Sequence, residues 1–214
     1  PPMLKELGGY PEAIIGTLLG TRGVGAIVGF FLAGRVSRFD PKVVMTLGFS
    51  IQALSGVHMM TFDMNVGIAD VMAASFMQGA SVGLVWVPLV VATFATLKRR
   101  HLAETTAVFH LLRNVGRSIF ISISVTMVIR TGTSNYARMT EFISPFNEVL
   151  NFPQYLNSWD TDSTMGLARI AEVVSNQADM IGFLNAFGLY TLASVLVLPL
   201  IWMVRMPKRG AHEE

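Results

Sequence analysis

Five long apolar runs, separated by short polar breaks, make up most of the chain. They cover roughly 13–33, 43–62, 66–96, 103–129 and 181–204. Each is long enough to cross a hydrocarbon core of about 30 Å, which takes about 20 helical residues. The third and fourth are the longest and are expected to tilt or protrude. In hydrocarbon every backbone N–H and C=O must be satisfied within the protein, so the runs are predicted to be helices. A membrane barrel would alternate polar and apolar positions along its strands, and these runs do not. The predicted class is therefore an all-α integral membrane protein with five spans.

The breaks carry charge unevenly. Arg35, Arg38 and Lys42 lie between the first two spans, Lys98, Arg99 and Arg100 between the third and fourth, and Arg205, Lys208 and Arg209 after the fifth. The break between spans two and three has no Lys or Arg. Basic residues in short loops mark the cytoplasmic side. Five crossings then put the N-terminus outside and the C-terminus in the cytoplasm. Residues 130–180 form an outer loop, whose end, "DSTMGLARIAEVVSNQADM", reads as a short amphipathic helix. Asp162 or Ser163 caps it, and Ile170, Val173 and Val174 supply its apolar stripe. Such a helix either packs on the mouth of the bundle or gates it.

Small residues mark close packing. Gly16, Gly20, Gly25, Gly29 and Ala33 lie in span one, and Gly79 and Gly83 in span three. These spacings let helix backbones approach, in a fixed bundle or in helices that slide past one another.

Composition agrees with the bilayer as solvent. The chain of 214 residues is 52% hydrophobic and 14% charged, against about 25% charged in soluble domains. The net charge of +2 comes from basic groups between apolar runs, which argues for lipid and against nucleic acid as partner. With no cysteine, disulfides and Cys-ligated metals are excluded. The chain starts at Pro1 without a basic-then-apolar leader, so a longer parent protein is expected.

Span four breaks the apolar rule. Around "VFHLLRNVGRSIFISISV", residues 108–125, Thr106, His110, Arg113, Asn114, Arg117 and Ser124 fall near one stripe of a helix. Twelve Leu, Ile, Phe and Val residues lie between 103 and 129. At about −0.3 to −0.6 kcal/mol each they contribute roughly −4 to −7 kcal/mol to insertion. Two arginines near mid-depth cost roughly 5–7 kcal/mol. The helix gains almost nothing from lipid alone, so its arginines need partners, a cavity or a route to the interface. One reading pairs Arg113 with carbonyls at a helix end; the other places the stripe on an interior polar face. Arg22 in span one needs a partner that the sequence does not identify. Gln52 is expected to hydrogen-bond a neighbouring helix, and His58 to lie near the outer interface. Pro88, after Trp86 in span three, is expected to kink that helix. Phe76, Met77, Gln78 and Trp86 are candidates to line a pocket, although aromatic and methionine stripes also serve as plain packing.

Enzyme signatures are absent. The chain has no Walker A loop, no strand-borne G-x-G-x-x-G, no H-E-x-x-H and no evident Ser–His–Asp set. No catalytic residue, metal or cofactor is expected.

Several segments together resemble one family. "LLRNVGRSI", after a basic loop and Glu104-Thr105-Thr106, resembles the "LLRNLGGSIG" stretch of the fourteen-helix drug:proton antiporters of the major facilitator superfamily. "QGASVGLVWVPL" resembles their glycine-rich helix, "GRVSRFDPKVVMTLG" a basic cytoplasmic loop, and "QADMIGFLNAFGLY" the start of their last helix. The resemblance covers nearly the whole chain. It implies the last five helices of a C-terminal six-helix bundle, with "PPMLKEL" as the tail of the preceding helix. It places spans one and four against the N-terminal half, span three on the substrate path, and spans two and five toward lipid. It implies a loop formed by Gly34, Arg35, Arg38, Asp40 and Lys42. Arg117 stands where the family commonly has glycine, and the acid that often precedes the position of Arg38 is missing. The acids usually assigned to proton coupling lie in the other half.

The expected activity is proton-driven efflux of small hydrophobic or cationic compounds from the inner membrane by alternating access. Arg113, Asn114, Arg117, His110 and Arg22 are the bundle-interface or gating candidates. The alternatives are a metabolite permease of the same superfamily, and a non-transporting polytopic scaffold or enzyme subunit.

Overall fold

Each apolar run is helical. The computed structural model describes residues 2–36, 40–94, 99–143 and 163–203. They form α1 (Pro2–Glu6), α2 (Glu12–Val36), α3 (Pro41–Met60), α4 (Ile68–Phe94), a 3-10 turn (Arg99–His101), α5 (Leu102–Thr140) and α6 (Thr164–Met203), with no strand among the described residues. Local signals set several boundaries. Gly9 turns the chain between α1 and α2 at φ 61°, a left-handed conformation that glycine adopts without penalty. Asp40 caps α3, its side chain accepting the Lys42 N–H at 2.9 Å, and Pro41 follows in the first turn, where a missing N–H costs nothing. Helix α4 runs through Pro88 and α6 through Pro199.

The helices form an arc in the order α2, α4, α3, α6, α5, each packed on the next. Helices α2 and α4 run parallel and meet backbone to backbone. A Cβ on Gly25 would stand 3.0 Å from the Phe76 carbonyl carbon, and one on Gly83 2.7 Å from the Gly29 Cα. Gly79 abuts the Arg22 carbonyl in the same way. Gly16 and Gly20, which share the small-residue pattern, have nothing within 4 Å of such a Cβ and are exposed. The seam therefore uses only the inner half of the glycine pattern. Between α3 and α4, the buried Ser55 hydroxyl donates to the Ala74 carbonyl at 3.1 Å.

Helices α5 and α6 are longer than the apolar runs, at 39 and 40 residues, or roughly 60 Å each. They run antiparallel, with Gly132 against Asp179 and Gly182 against Val128. Residues 164–180 are thus the first turns of α6 and not a separate helix. The stripe expected there is real: Ile170 and Val174 are buried. They face the extension of α5, and with no proline or glycine between Leu167 and Asp179 nothing interrupts the helix.

Basic groups collect at one end, where α2 closes with Arg35, α3 opens with Lys42, and Arg100 precedes α5. Lys42 Nζ donates to the Trp202 carbonyl there, at 3.3 Å. Glu6, Glu12, Asp63 and Asp70 mark the far end, beside an apolar cluster that includes Met3, Leu4, Ile15, Leu18, Phe62 and Met180. Elsewhere the helices present apolar surface outward: Ile27 is 71% exposed, Phe31 69% and Leu112 67%. So much exposed apolar surface is incompatible with water and fits lipid. All five long helices are long and apolar enough to cross a membrane. The protein is an all-α integral membrane protein.

Candidate functional site

The arginine of span four meets an aromatic partner. Arg113 Cζ lies 4.3 Å from the centroid of the Trp86 ring, well within the roughly 6 Å of a cation–π contact. Around the pair, Phe109 stands 6.1 Å from Trp86 and 5.8 Å from Phe94, and His110 lies edge-on to Phe109 at 5.6 Å. The cluster ties the first half of α5 to the last two turns of α4, toward the basic end. One helical turn separates Phe109 from Arg113, so both reach α4 from one face of α5. Neither alternative from the sequence describes this: the guanidinium rests on an indole face, and among the described residues it has no ion pair or side-chain hydrogen bond.

The rest of the polar stripe is open. Arg113, Asn114 and Arg117 are exposed, and neither Asn114 nor Arg117 has a polar partner among the described residues. At 100° per residue, His110 and Asn114 fall in the same sector as Val128 and Gly132, which meet α6 five turns further on, and Arg117 lies between that sector and the one of Phe109 that meets α4. Ser124, further along the stripe, has a buried hydroxyl oxygen without a partner.

Gln78 belongs to a different neighbourhood. Its Nε2 lies 2.9 Å from Met59 Sδ on α3. The Ser81 hydroxyl is 2.7 Å from Gln52 Oε1 and 2.8 Å from the Gln78 carbonyl, and donates to one at a time. Gln52 thus finds its neighbouring helix. Gln78 and Trp86 are eight residues apart, about 12 Å along α4, and the structure does not bring them together. Phe76 is exposed beside the α2 seam and Met77 is half-buried. His58 Nε2 lies 3.8 Å from Asp70 Oδ1 and edge-on to Phe62 at the far end.

Arg22 sits on the packed face of α2. Ile15, Leu18, Gly25, Gly29 and Ala33 are the buried positions of that helix, and Arg22 shares their three-and-four spacing. Its side chain is exposed, and among the described residues it has no ion pair. Of the loop expected at the basic end, Gly34 and Arg35 close α2, Asp40 caps α3 and Lys42 reaches α6. Arg38 lies outside the described residues. No group of three or more His, Asp or Glu side chains capable of holding a metal occurs among the described residues.

Sequence reasoning missed Phe94, Phe109, Met59, Ser81 and Tyr190. For Phe109 a signal existed, because an aromatic residue one turn before a membrane arginine shares its face. Tyr190 gave none, since its ring meets Gly56 of α3, a contact that arises from packing between distant helices.

No protein-family model and no solved structure matches the chain significantly. Curated proteins do. The chain is 23% identical over 215 residues to the multidrug export protein EmrB of Haemophilus influenzae, covering 99% of this chain and 42% of that protein. It is 23% identical over 210 residues to the probable multidrug resistance protein EmrY of Escherichia coli, covering 97% of this chain and 41% of that protein. It is 24% identical over 212 residues to the fatty acid resistance protein FarB of Neisseria gonorrhoeae, with the same coverage of 97% and 41%. The chain therefore spans about two-fifths of the length of these relatives. Its homologues are multidrug export proteins of the EmrB type, which are transporters.

Proposed function

We propose that this chain is the C-terminal transmembrane bundle of a secondary active multidrug exporter. It works with a second bundle by alternating access in the inner membrane, coupled to protons, with its C-terminus in the cytoplasm. Hydrophobic compounds, cationic drugs among them, are the substrates that the family resemblance implies. The relatives named for multidrug export support this reading, and so does their length, which leaves room for a second bundle. The open polar stripe of α5 and the exposed Arg22 on α2, which has no ion pair among the described residues, support it as well. They stand on helices at or near the two ends of the arc, where a partner bundle would meet them.

The observation that carries the mechanism is Arg113 on Trp86. A guanidinium keeps its charge at any biological pH and has five N–H donors in one plane. With one face against an indole, those donors point outward at the ring's edge, free to engage carbonyls or a carboxylate of the partner bundle. Arg113 is then a latch for one transport state, and Trp86 holds it in position. His110 has no acid beside it among the described residues, which suits it less to this role.

Drug efflux per molecule in membranes is the test. Arg113→Ala is expected to insert normally and to lose most transport. Arg113→Lys should restore only part of it, because an ammonium lacks the planar fork. Normal efflux per molecule by Arg113→Ala would remove the latch. A scaffold would tolerate all these changes without loss of partner activity.

A further inference from the structure

Methionine collects at the far end of the bundle. The chain has 13 methionines in 214 residues, and Met3, Met59, Met64 and Met180 all belong to the apolar cluster there. Three of these four, Met3, Met64 and Met180, border one cavity of about 290 Å³. They come from α1, from the connection between α3 and α4, and from α6. Met3 and Met180 are buried. Met64 stands out in its own segment. It lies in a tight turn between Asp63 and Asn65, where Asp63 Oδ1 accepts the Asn65 N–H at 2.9 Å. Asp and Asn favour such turns because their side chains bond the backbone two residues on. Both are exposed here, whereas Met64 between them is half-buried against the cluster. The chain before α2 folds over the same space. Gly9 turns it at φ 61°, the Tyr10 N–H donates to the Leu4 carbonyl at 3.1 Å, and the Tyr10 ring lies against Gly8 and borders the cavity. Methionine ordinarily fills gaps in a core, because its side chain is unbranched and flexible. Here three of them border a gap instead of closing it.

We infer that Met3, Met64 and Met180 form a thioether site for a soft monovalent metal ion, Cu(I) or Ag(I). Thioether sulfur is a soft, neutral donor, and soft donors select Cu(I) over hard cations such as Mg²⁺ and Ca²⁺. Three rotatable bonds let each side chain turn its sulfur toward a common ion. Donors from three separate segments tie α1 and the α3–α4 connection to α6 when the ion binds. The Asp63 carboxylate, which also borders the cavity, supplies a charge opposite to the ion's, and apolar walls strengthen that attraction relative to water. The donor set has one property that histidine and carboxylate sites lack. A thioether carries no proton to release, so binding does not compete with protons. The titratable groups nearby are Asp63 and Tyr10 on the cavity and His58 with Asp70 at the same end. The inference concerns binding alone and does not rest on the exporter reading. The rival occupant is a small apolar molecule, for which the methionines are only a packing surface.

The experiment uses the intact protein in detergent. Cu(I) held by the chromogenic chelator bathocuproine disulfonate is the first probe, and Ag(I), which is inert to air oxidation, is the second. The wild type should withdraw Cu(I) from the chelator, and Met64→Leu and Met180→Leu should each weaken that binding by at least about tenfold, since changing even the outer partners of a metal ligand costs about 10- to 100-fold. Leucine keeps the volume and apolarity of methionine and removes the sulfur. Met59→Leu is the control, because Met59 belongs to the same cluster but not to the lining of the cavity, and it should bind as the wild type does. Ag(I) should raise the thermal midpoint of the wild type and leave that of Met64→Leu unchanged, because an ion stabilises only a folded form that holds it. Absence of Cu(I) binding by the wild type, or equal binding by the wild type and both cavity variants, overturns the site. So does displacement of Cu(I) by Zn(II), or an affinity that falls from neutral to mildly acid pH, either of which assigns the ion to His58 or the carboxylates. A loss in Met59→Leu equal to that in Met64→Leu also overturns it and assigns the effect to the packing of the cluster.

Discussion

A single methyl group at Gly83 tests whether α2 and α4 are locked together. In Gly83→Ala the added carbon would stand 2.7 Å from the Gly29 Cα, about 1 Å inside an ordinary carbon–carbon contact of 3.5–4.0 Å. The atoms opposite are backbone, so no rotamer change relieves the overlap and one helix must move. Overpacking of this kind costs about 1–3 kcal/mol. The gain in helix propensity from glycine to alanine returns about 0.5–1 kcal/mol. The net loss is therefore at most about 2.5 kcal/mol, or a drop of up to roughly 10 °C in thermal midpoint by the scaling for chains of this size. Gly20→Ala is the control, because nothing lies within 4 Å of its added carbon and only the propensity gain applies. Thermal unfolding of both variants in one detergent, followed by tryptophan fluorescence, gives the comparison. If Gly83→Ala melts at or above the wild-type midpoint, the backbone seam does not hold the two helices at this distance.

Three other outcomes are expected. With no native cysteine in the chain, Glu12→Cys should react with an impermeant maleimide only from outside, and Arg100→Cys only from the cytoplasm; labelling of both from one side would refute the orientation. Trp86→Ala should change the pattern of exported compounds and reduce efflux per molecule, while Gln78→Ala, whose side chain meets Met59 on α3, should act mainly on substrate preference; an unchanged efflux panel for both would remove α4 from the substrate path. Ala178→Leu should destabilise the α5–α6 pair by about 1–3 kcal/mol, since Ala178 is 0% exposed, and limited proteolysis near that end should then speed up; protection equal to wild type would show that the site accommodates the larger side chain.

Some of this protein was determined by sequence alone. Hydrocarbon leaves the backbone no partner except itself, so an apolar run of sufficient length must be a helix, and each of the five predicted runs has a long helix at its heart, α2 to α6. The polar stripe of span four was legible for a similar reason, because a fixed 100° step decides which residues share a face. Asp40 before Pro41 starts α3 through purely local chemistry, a signal in the sequence that the span assignment from 43 did not use. Where a residue's neighbours come from another helix, the pattern was silent or misleading. Gly16 and Gly20 obey the same spacing as Gly25 and Gly29, but only the latter pair meets α4, since the spacing fixes a face and not the depth at which a partner crosses it. The polar composition of 164–180 suggested a separate surface helix, yet packing against the extended α5 carries that segment into α6. The indole under Arg113 lies 27 residues away on α4, and the Tyr190 ring that meets Gly56 of α3 comes from α6. Their proximity follows from how five helices share one arc, and side-chain contacts between distant segments are decided only when that arc closes.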